Sequence, residues 1–97
     1  MTYEDATTRH GTTLVEFYAN WCPHCQRMKP IVEAVSELAG GTAAVAQFDI
    51  DEHPREAEHA GAESVPTFIV YRDGREVWRY VGEIGGDRLL AALQMAK

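Results

Sequence analysis

The sequence predicts an α/β fold: a mixed central sheet of about four strands with helices on both faces. Three observations predict it. Strand-like and helix-like apolar patterns alternate along the chain. A long helical pattern separates the first two strands, so they should run parallel through a crossover. The last two strand patterns flank Asp73-Gly74, a tight-turn signal, so they should run antiparallel.

Each element has its own justification. Residues 2–10 (TYEDATTRH) are polar and read as a short, weak helix. Residues 12–18 (TTLVEFY) are β-branched and aromatic, as a buried strand requires. Residues 22–39 read as a helix, because Met28, Ile31, Val32, Val35 and Leu38 fall on one face. Gly40-Gly41 ends it. Residues 43–49 (AAVAQFD) form a second strand. Pro54 opens a short helix over roughly 54–60, since a proline is tolerated in the first turn. Residues 67–72 and 75–81 form the hairpin. After Gly82 and Gly85-Gly86 comes a terminal helix, with Asp87 as its cap and Leu89, Leu90 and Leu93 on its apolar face.

Composition narrows the function. The chain has 97 residues, enough for a single domain over 1–97, and it has no repeat or linker. A formal net charge of −6 without clustered Lys or Arg argues against nucleic acid and anionic membranes as partners. No stretch approaches the ~18 apolar residues of a membrane helix. The start, Met1-Thr2-Tyr3-Glu4-Asp5, is acidic and does not read as a signal peptide, so a cytoplasmic setting is expected.

The only cysteines are Cys22 and Cys25. A bridge across so small a loop constrains the unfolded chain little, so the pair points to chemistry or to half a metal site. In Trp21-Cys22-Pro23-His24-Cys25, a helix start places Cys22 at the N-cap and Pro23 at the first helical position. The unpaired amides of the first turn and the positive end of the helix dipole then favour a thiolate at Cys22. His24 adds positive charge when protonated. Cys22 is therefore the expected nucleophile. Cys25, one turn deeper, is expected to be more buried. The zinc alternative has His53 and His59 to offer, at a permitted spacing, but they lie far along the chain from Cys25. No metal is expected. His10, His53 and His59 read as surface residues, and Trp78 as packing on the sheet.

With these residues in hand, the chain resembles the thioredoxin family. The resemblance runs from about residue 3 to 96. It rests on Val15-Glu16-Phe17-Tyr18-Ala19-Asn20-Trp21-Cys22, on Pro30 in the long helix, and on Asp49-Ile50-Asp51 after the second strand. Val65-Pro66-Thr67 and Val81-Gly82 complete it. It implies a thioredoxin-like fold and a protein thiol–disulfide oxidoreductase. Cys22 is then the attacking thiol and Cys25 the resolving thiol. Pro66 is cis, and Val65 offers its backbone to an extended substrate segment. Trp21, Gly82 and Ile84 line the same groove. Glu16 is the buried acid beneath Cys25 that handles its proton. The partners implied are proteins carrying disulfides and a flavin-dependent reductase, with no organic cofactor.

Several residues depart from the family pattern. Pro23-His24 stands where ordinary members carry Gly-Pro, and it resembles enzymes that introduce disulfides. The expected potential lies above the family's reference value of about −270 mV and below the oxidase extreme of about −120 mV. Glu16 replaces an aspartate, and Gln47 replaces its usual lysine partner, so desolvation should raise the Glu16 pKa. The family's first strand has no counterpart, which leaves residues 43–49 at a sheet edge and allows a monomer or a weak dimer. Two rival readings are a glutathione-coupled, glutaredoxin-like reductase and a redox-gated binding module without turnover. The first has Gly85-Gly86-Asp87 too far downstream to serve as its glutathione site.

Overall fold

Alternation along the first strand sets the two faces of the molecule. The computed structural model describes residues 1–96. Its elements are α1 (Tyr3–Thr8), β1 (Thr12–Tyr18), α2 (Pro23–Ala39), a 3-10 turn (Gly40–Thr42), β2 (Ala43–Asp49), α3 (Pro54–Ala60), β3 (Thr67–Arg72), β4 (Arg75–Val81) and α4 (Gly86–Met95). The sheet order is β2-β1-β3-β4. The β1–β2 pair is parallel, and β1–β3 and β3–β4 are antiparallel. This is the mixed four-stranded sheet that the sequence predicts, with β2 at one edge as expected.

Successive strand residues point to opposite faces. Leu14 faces α2 and α4, where it packs with Met28, Val32, Phe68, Leu89 and Leu93. Val15 and Phe17 face the other way, into a second core with Ala6, Phe48, Ile69 and Tyr71. Phe17, Phe68, Leu14 and Met28 are fully buried. Each such side chain contributes roughly 1.5–3 kcal/mol relative to exposure. Glu16 lies between Val15 and Phe17, so the same period turns it toward the α2 face.

The polar first helix holds through its N-terminus. Thr2 Oγ1 accepts from the Asp5 amide at 3.0 Å and the Thr2 amide donates to Asp5 at 3.2 Å, a reciprocal capping box. The helix spans six residues, shorter than the 2–10 expected, because nothing from Thr8 to Gly11 is buried to extend it. At the hairpin, Asp73 (φ 51°) and Gly74 (φ 82°) are both left-handed, as a two-residue turn of this twist requires. One extra residue interrupts the register: Val70 faces Trp78 while Tyr71 faces Glu76.

Two expectations need correction. Asp87 does not cap α4. The helix begins at Gly86, its N-cap is Gly85, and Asp87 sits inside the first turn, where a carboxylate favours the dipole instead. Leu38 does not join the core and is 72% exposed, because the buried stripe of α2 runs through Val35 and Ala39 and leaves Leu38 at its margin.

Candidate active site

Helix α2 starts where strand β1 has delivered the chain to the sheet's C-terminal edge. Cys22 is its N-cap and Pro23 its first residue. The cap geometry needs an acceptor for the unpaired amides of the first turn. The Cys22 sulfur supplies it: the Cys25 amide donates to Cys22 Sγ at 3.4 Å. From the other side, Cys22 Sγ lies 3.7 Å from the Val65 carbonyl oxygen. Both cysteines are free.

The two sulfurs do not differ in exposure as expected. Cys22 is 4% exposed and Cys25 is 5% exposed. Cys22 is covered because Val65 and Ala19 pack onto the pair. Burial, with the neighbouring Cys22, pushes the Cys25 thiol up to about 12. Below it, Glu16 is 2% exposed. Burial raises its carboxyl above the usual range, and a hydrogen bond from Gln47 Nε2 to Oε1 at 2.8 Å opposes this more weakly. The parallel register pairs Glu16 with Gln47, which explains why that side chain is the one within reach. Glu16, Tyr18, Cys25, Lys29 and Gln47 line a cavity of about 290 Å³ that is roomy enough to admit water.

Of the residues expected to line a substrate groove, Val65 is the one packed on Cys22. The Val65–Pro66 peptide is cis. The Pro66 carbonyl accepts from the Gly82 amide at 2.9 Å, and Gly82 has φ 106°, so the turn after β4 is tied beside the proline segment. Trp21 is 64% exposed on the rim, and its Nε1 donates to Asp51 Oδ2 at 2.9 Å. Ile84 is buried in the α2/α4 core, and its amide donates to Met28 Sδ at 3.5 Å.

Pro23 and His24 are exposed, as a helix first turn dictates. His24 is not alone there. Its Nδ1 lies 2.6 Å from Glu83 Oε2. Arg27 Nε reaches Glu83 at 3.0 and 3.1 Å, and Arg27 Nη2 at 2.8 Å. The hydrogen bonds from Arg27, and then from His24, hold the Glu83 carboxyl down at about 2. Sequence reasoning missed this cluster. Arg27 stands one turn after His24 on α2, a legible signal. Glu83 comes from the distant β4–α4 turn and carries none.

The histidines considered as zinc ligands are engaged elsewhere. His53 pairs with Glu56 and packs edge-on to Phe48, and His59 bonds the Tyr3 hydroxyl. Among the described residues, no three His, Cys, Asp or Glu side chains converge as a metal site, and no helix is long and apolar enough to cross a membrane.

Comparison with known proteins places this geometry. The family model for thioredoxin matches residues 1–95. A thioredoxin of Chlamydia muridarum is 43% identical over 81 residues, covering 82% of this chain and 78% of that protein. The chloroplastic thioredoxin Y of rice is 36% identical over 88 residues, covering 87% of this chain and 52% of that protein. Among solved structures, a point mutant of the thioredoxin from Halobacterium salinarum superposes with a TM-score of 0.86 at 36% identity, covering 95% of this chain and 80% of that one. A sulfur pair built into the start of a helix, in a chain matched almost end to end, leaves one assignment: this chain belongs to the thioredoxin family and is a protein thiol–disulfide oxidoreductase.

Proposed function

We propose that Cys22 is the attacking thiol, Cys25 the resolving thiol and Glu16 the group that exchanges the Cys25 proton. The observation that carries this is Cys25 set between the other two groups. Its amide donates to Cys22 Sγ at 3.4 Å, its thiol is pushed up to about 12, and the buried Glu16 carboxyl borders the same cavity as its side chain.

The cycle balances in two steps. The Cys22 thiolate attacks one sulfur of a protein disulfide, forms a mixed disulfide and releases one substrate thiolate. Cys25 then loses its proton and attacks the Cys22 sulfur. The second substrate thiolate leaves, and the Cys22–Cys25 disulfide remains. Two electrons have passed to the substrate. A thiol held as high as Cys25 needs a base beside it at the moment of attack. Glu16, with its own affinity for a proton raised by burial, suits that exchange through water in the cavity. The substrate segment lies extended between Trp21, Val65-Pro66 and Gly82. The dithiol is restored by a reductase, flavin-dependent in the family pattern. The couple works without metal or organic cofactor. The open edge of β2 permits weak self-association.

Pro23-His24 sets the poise above that of ordinary thioredoxins. The test is a redox equilibrium against glutathione, with His24→Pro alongside. A potential between about −270 and −120 mV, lowered in His24→Pro, supports the reading. A value near the lower limit, unmoved by the substitution, refutes it. Turnover of insulin disulfides with a recycling reductant separates the enzyme from a binding module, which gives none.

A further inference from the structure

We propose that Glu83 restrains the redox poise of the dithiol: its carboxylate engages the Arg27 guanidinium and the His24 imidazole at the rim, and so withholds the guanidinium's positive charge, and that of His24 when it is protonated, from the Cys22 sulfur. The inference rests on the reading that positive charge at the tip of α2 tunes the couple.

The geometry is specific. Arg27 presents Nε and Nη2 to Glu83 at 2.8 to 3.1 Å, a forked contact. His24 Nδ1 approaches the same Oε2 at 2.6 Å. So short a contact with a carboxylate oxygen requires the proton on Nδ1, donated to Glu83. Arg27 Nη2 also lies 2.9 Å from that nitrogen. With Nδ1 protonated, this is two donors converging on one oxygen, not a hydrogen bond between them. Arg27 and His24 therefore both donate to Glu83, which comes from the β4–α4 turn. The cluster sits at the start of α2: His24 is the second residue of the helix that Cys22 caps, and Arg27 Nη2 reaches its ring nitrogen at 2.9 Å. Glu83 is the main cause that raises the Arg27 pKa, and Cys22 adds a smaller one.

The consequence follows from the balanced reaction. Oxidised glutathione plus the Cys22/Cys25 dithiol gives the protein disulfide plus two glutathione thiols. Two electrons leave the protein, with the Cys25 proton; the second proton comes from Cys22 where that thiol is protonated and from solvent where it is a thiolate. Only the reduced form can carry negative charge on Cys22. Cations near that sulfur therefore favour the dithiol, and an anion favours the disulfide. Glu83 contributes an anion and draws to itself the Arg27 cation, and His24 when it is protonated. Both effects push the couple toward the reducing side. A Pro-His motif accompanied by Glu83 is thus less oxidising than the motif alone implies.

The test compares equilibrium constants against glutathione at pH 7 for the wild type, Glu83→Gln, Arg27→Gln and His24→Pro. Thermal midpoints of each variant are recorded beside them. Glu83→Gln is expected to shift the equilibrium about three- to tenfold toward the dithiol, roughly 15 to 30 mV. Arg27→Gln removes the guanidinium and leaves the Glu83 carboxylate against His24 alone, and it is expected to shift it the opposite way. In about 1 M salt, where the screening length falls to about 3 Å, both differences shrink. A purely structural tether between α2 and the turn moves both variants in the same direction. That result, or an unmoved constant in Glu83→Gln, overturns the proposal. The two readings fail separately. A wild-type potential near about −270 mV with a silent His24→Pro removes the Pro-His reading and leaves a Glu83 shift standing. A raised potential with a silent Glu83→Gln removes only the role of Glu83.

Discussion

The floor beneath Cys25 and the rim around Cys22 are built from the same kinds of groups and behave differently. The floor holds one carboxyl, Glu16, 2% exposed, with a single amide partner. The rim holds one carboxyl, Glu83, with a guanidinium and an imidazole against it, all in water. Desolvation raises the first carboxyl, and hydrogen bonds from cations lower the second to about 2. The contrast teaches that two sulfurs with nearly equal exposure are distinguished by what surrounds them. Cys25 meets low dielectric and an acid hydrogen-bonded to a neutral amide. Cys22 meets a helix terminus whose first turns carry exposed, screened charges.

The sharpest way to break the comparison is to remove each sulfur in turn. Cys22→Ser is expected to abolish insulin disulfide turnover. Cys25→Ser is expected to stop the cycle one step later, with substrate held on Cys22 as a mixed disulfide that mass spectrometry detects. If Cys25→Ser instead forms no adduct while Cys22→Ser does, the assigned roles are reversed.

Next in size is the floor acid. A carboxyl raised by folding stabilises the protein fully below its unfolded value, here 4.5, and that contribution is lost as pH rises through the folded value. Glu16→Gln keeps the acceptor for Gln47 and removes the charge. Its urea-unfolding stability should exceed that of the wild type by roughly 1–3 kcal/mol at pH 8. The two should converge near about pH 4, where both side chains are neutral. Parallel curves across that window refute a raised Glu16. The same variant should slow resolution of the mixed disulfide, since a neutral amide takes no proton.

Restoring a cation tests why the floor differs from the rim. Gln47→Lys places an ammonium beside Glu16 and should draw its titration downward. The loss of stability with rising pH should then begin earlier and end smaller. Because residue 47 is exposed, the gain at pH 8 should stay within about 1 kcal/mol. A steeper pH dependence than in the wild type contradicts the account.

The sequence makes the floor easier to read than the rim, for physical reasons. Glu16 is legible because β1 is otherwise apolar around it and a charge in such a strand has no packing explanation. Its partner Gln47 follows once β1 and β2 are aligned in parallel. The tip of α2 is legible because Pro23 marks a first turn and so fixes Cys22 as the cap. Glu83 is invisible, because no local pattern joins residue 83 to residues 24 and 27. Only the β3–β4 hairpin and the turn after it bring it across the groove. Residue type alone makes Asp87 a cap, yet the cap is Gly85, two residues earlier. Gly86 lies close against α2, where an added Cβ would meet Ile31 at 3.4 Å. That close approach is a tertiary fact. Leu38 fits the helical spacing but sits at the margin of the stripe that the core covers, which periodicity cannot report.

The smallest expected effect concerns how the rim divides its work. Glu83 is lowered to about 2, first by its hydrogen bonds with Arg27 and second by that with His24. A carboxyl lowered in this way adds stability above its unfolded value of 4.5 and loses it as pH falls toward the folded one. The group is exposed, so the change in unfolding free energy is small and the site itself is the better reporter. A carbon-detected NMR titration of the Glu83 carboxyl should find its midpoint at about 2 in the wild type. Arg27→Gln should move that midpoint back toward 4.5 further than His24→Pro does, because the guanidinium supplies a fork of two donors and the imidazole one. Raising the salt should narrow the gap between the variants, which distinguishes this cluster from Glu16, whose titration burial controls and salt barely reaches. If His24→Pro produces the larger shift, the imidazole is the principal partner and Arg27 only borders it.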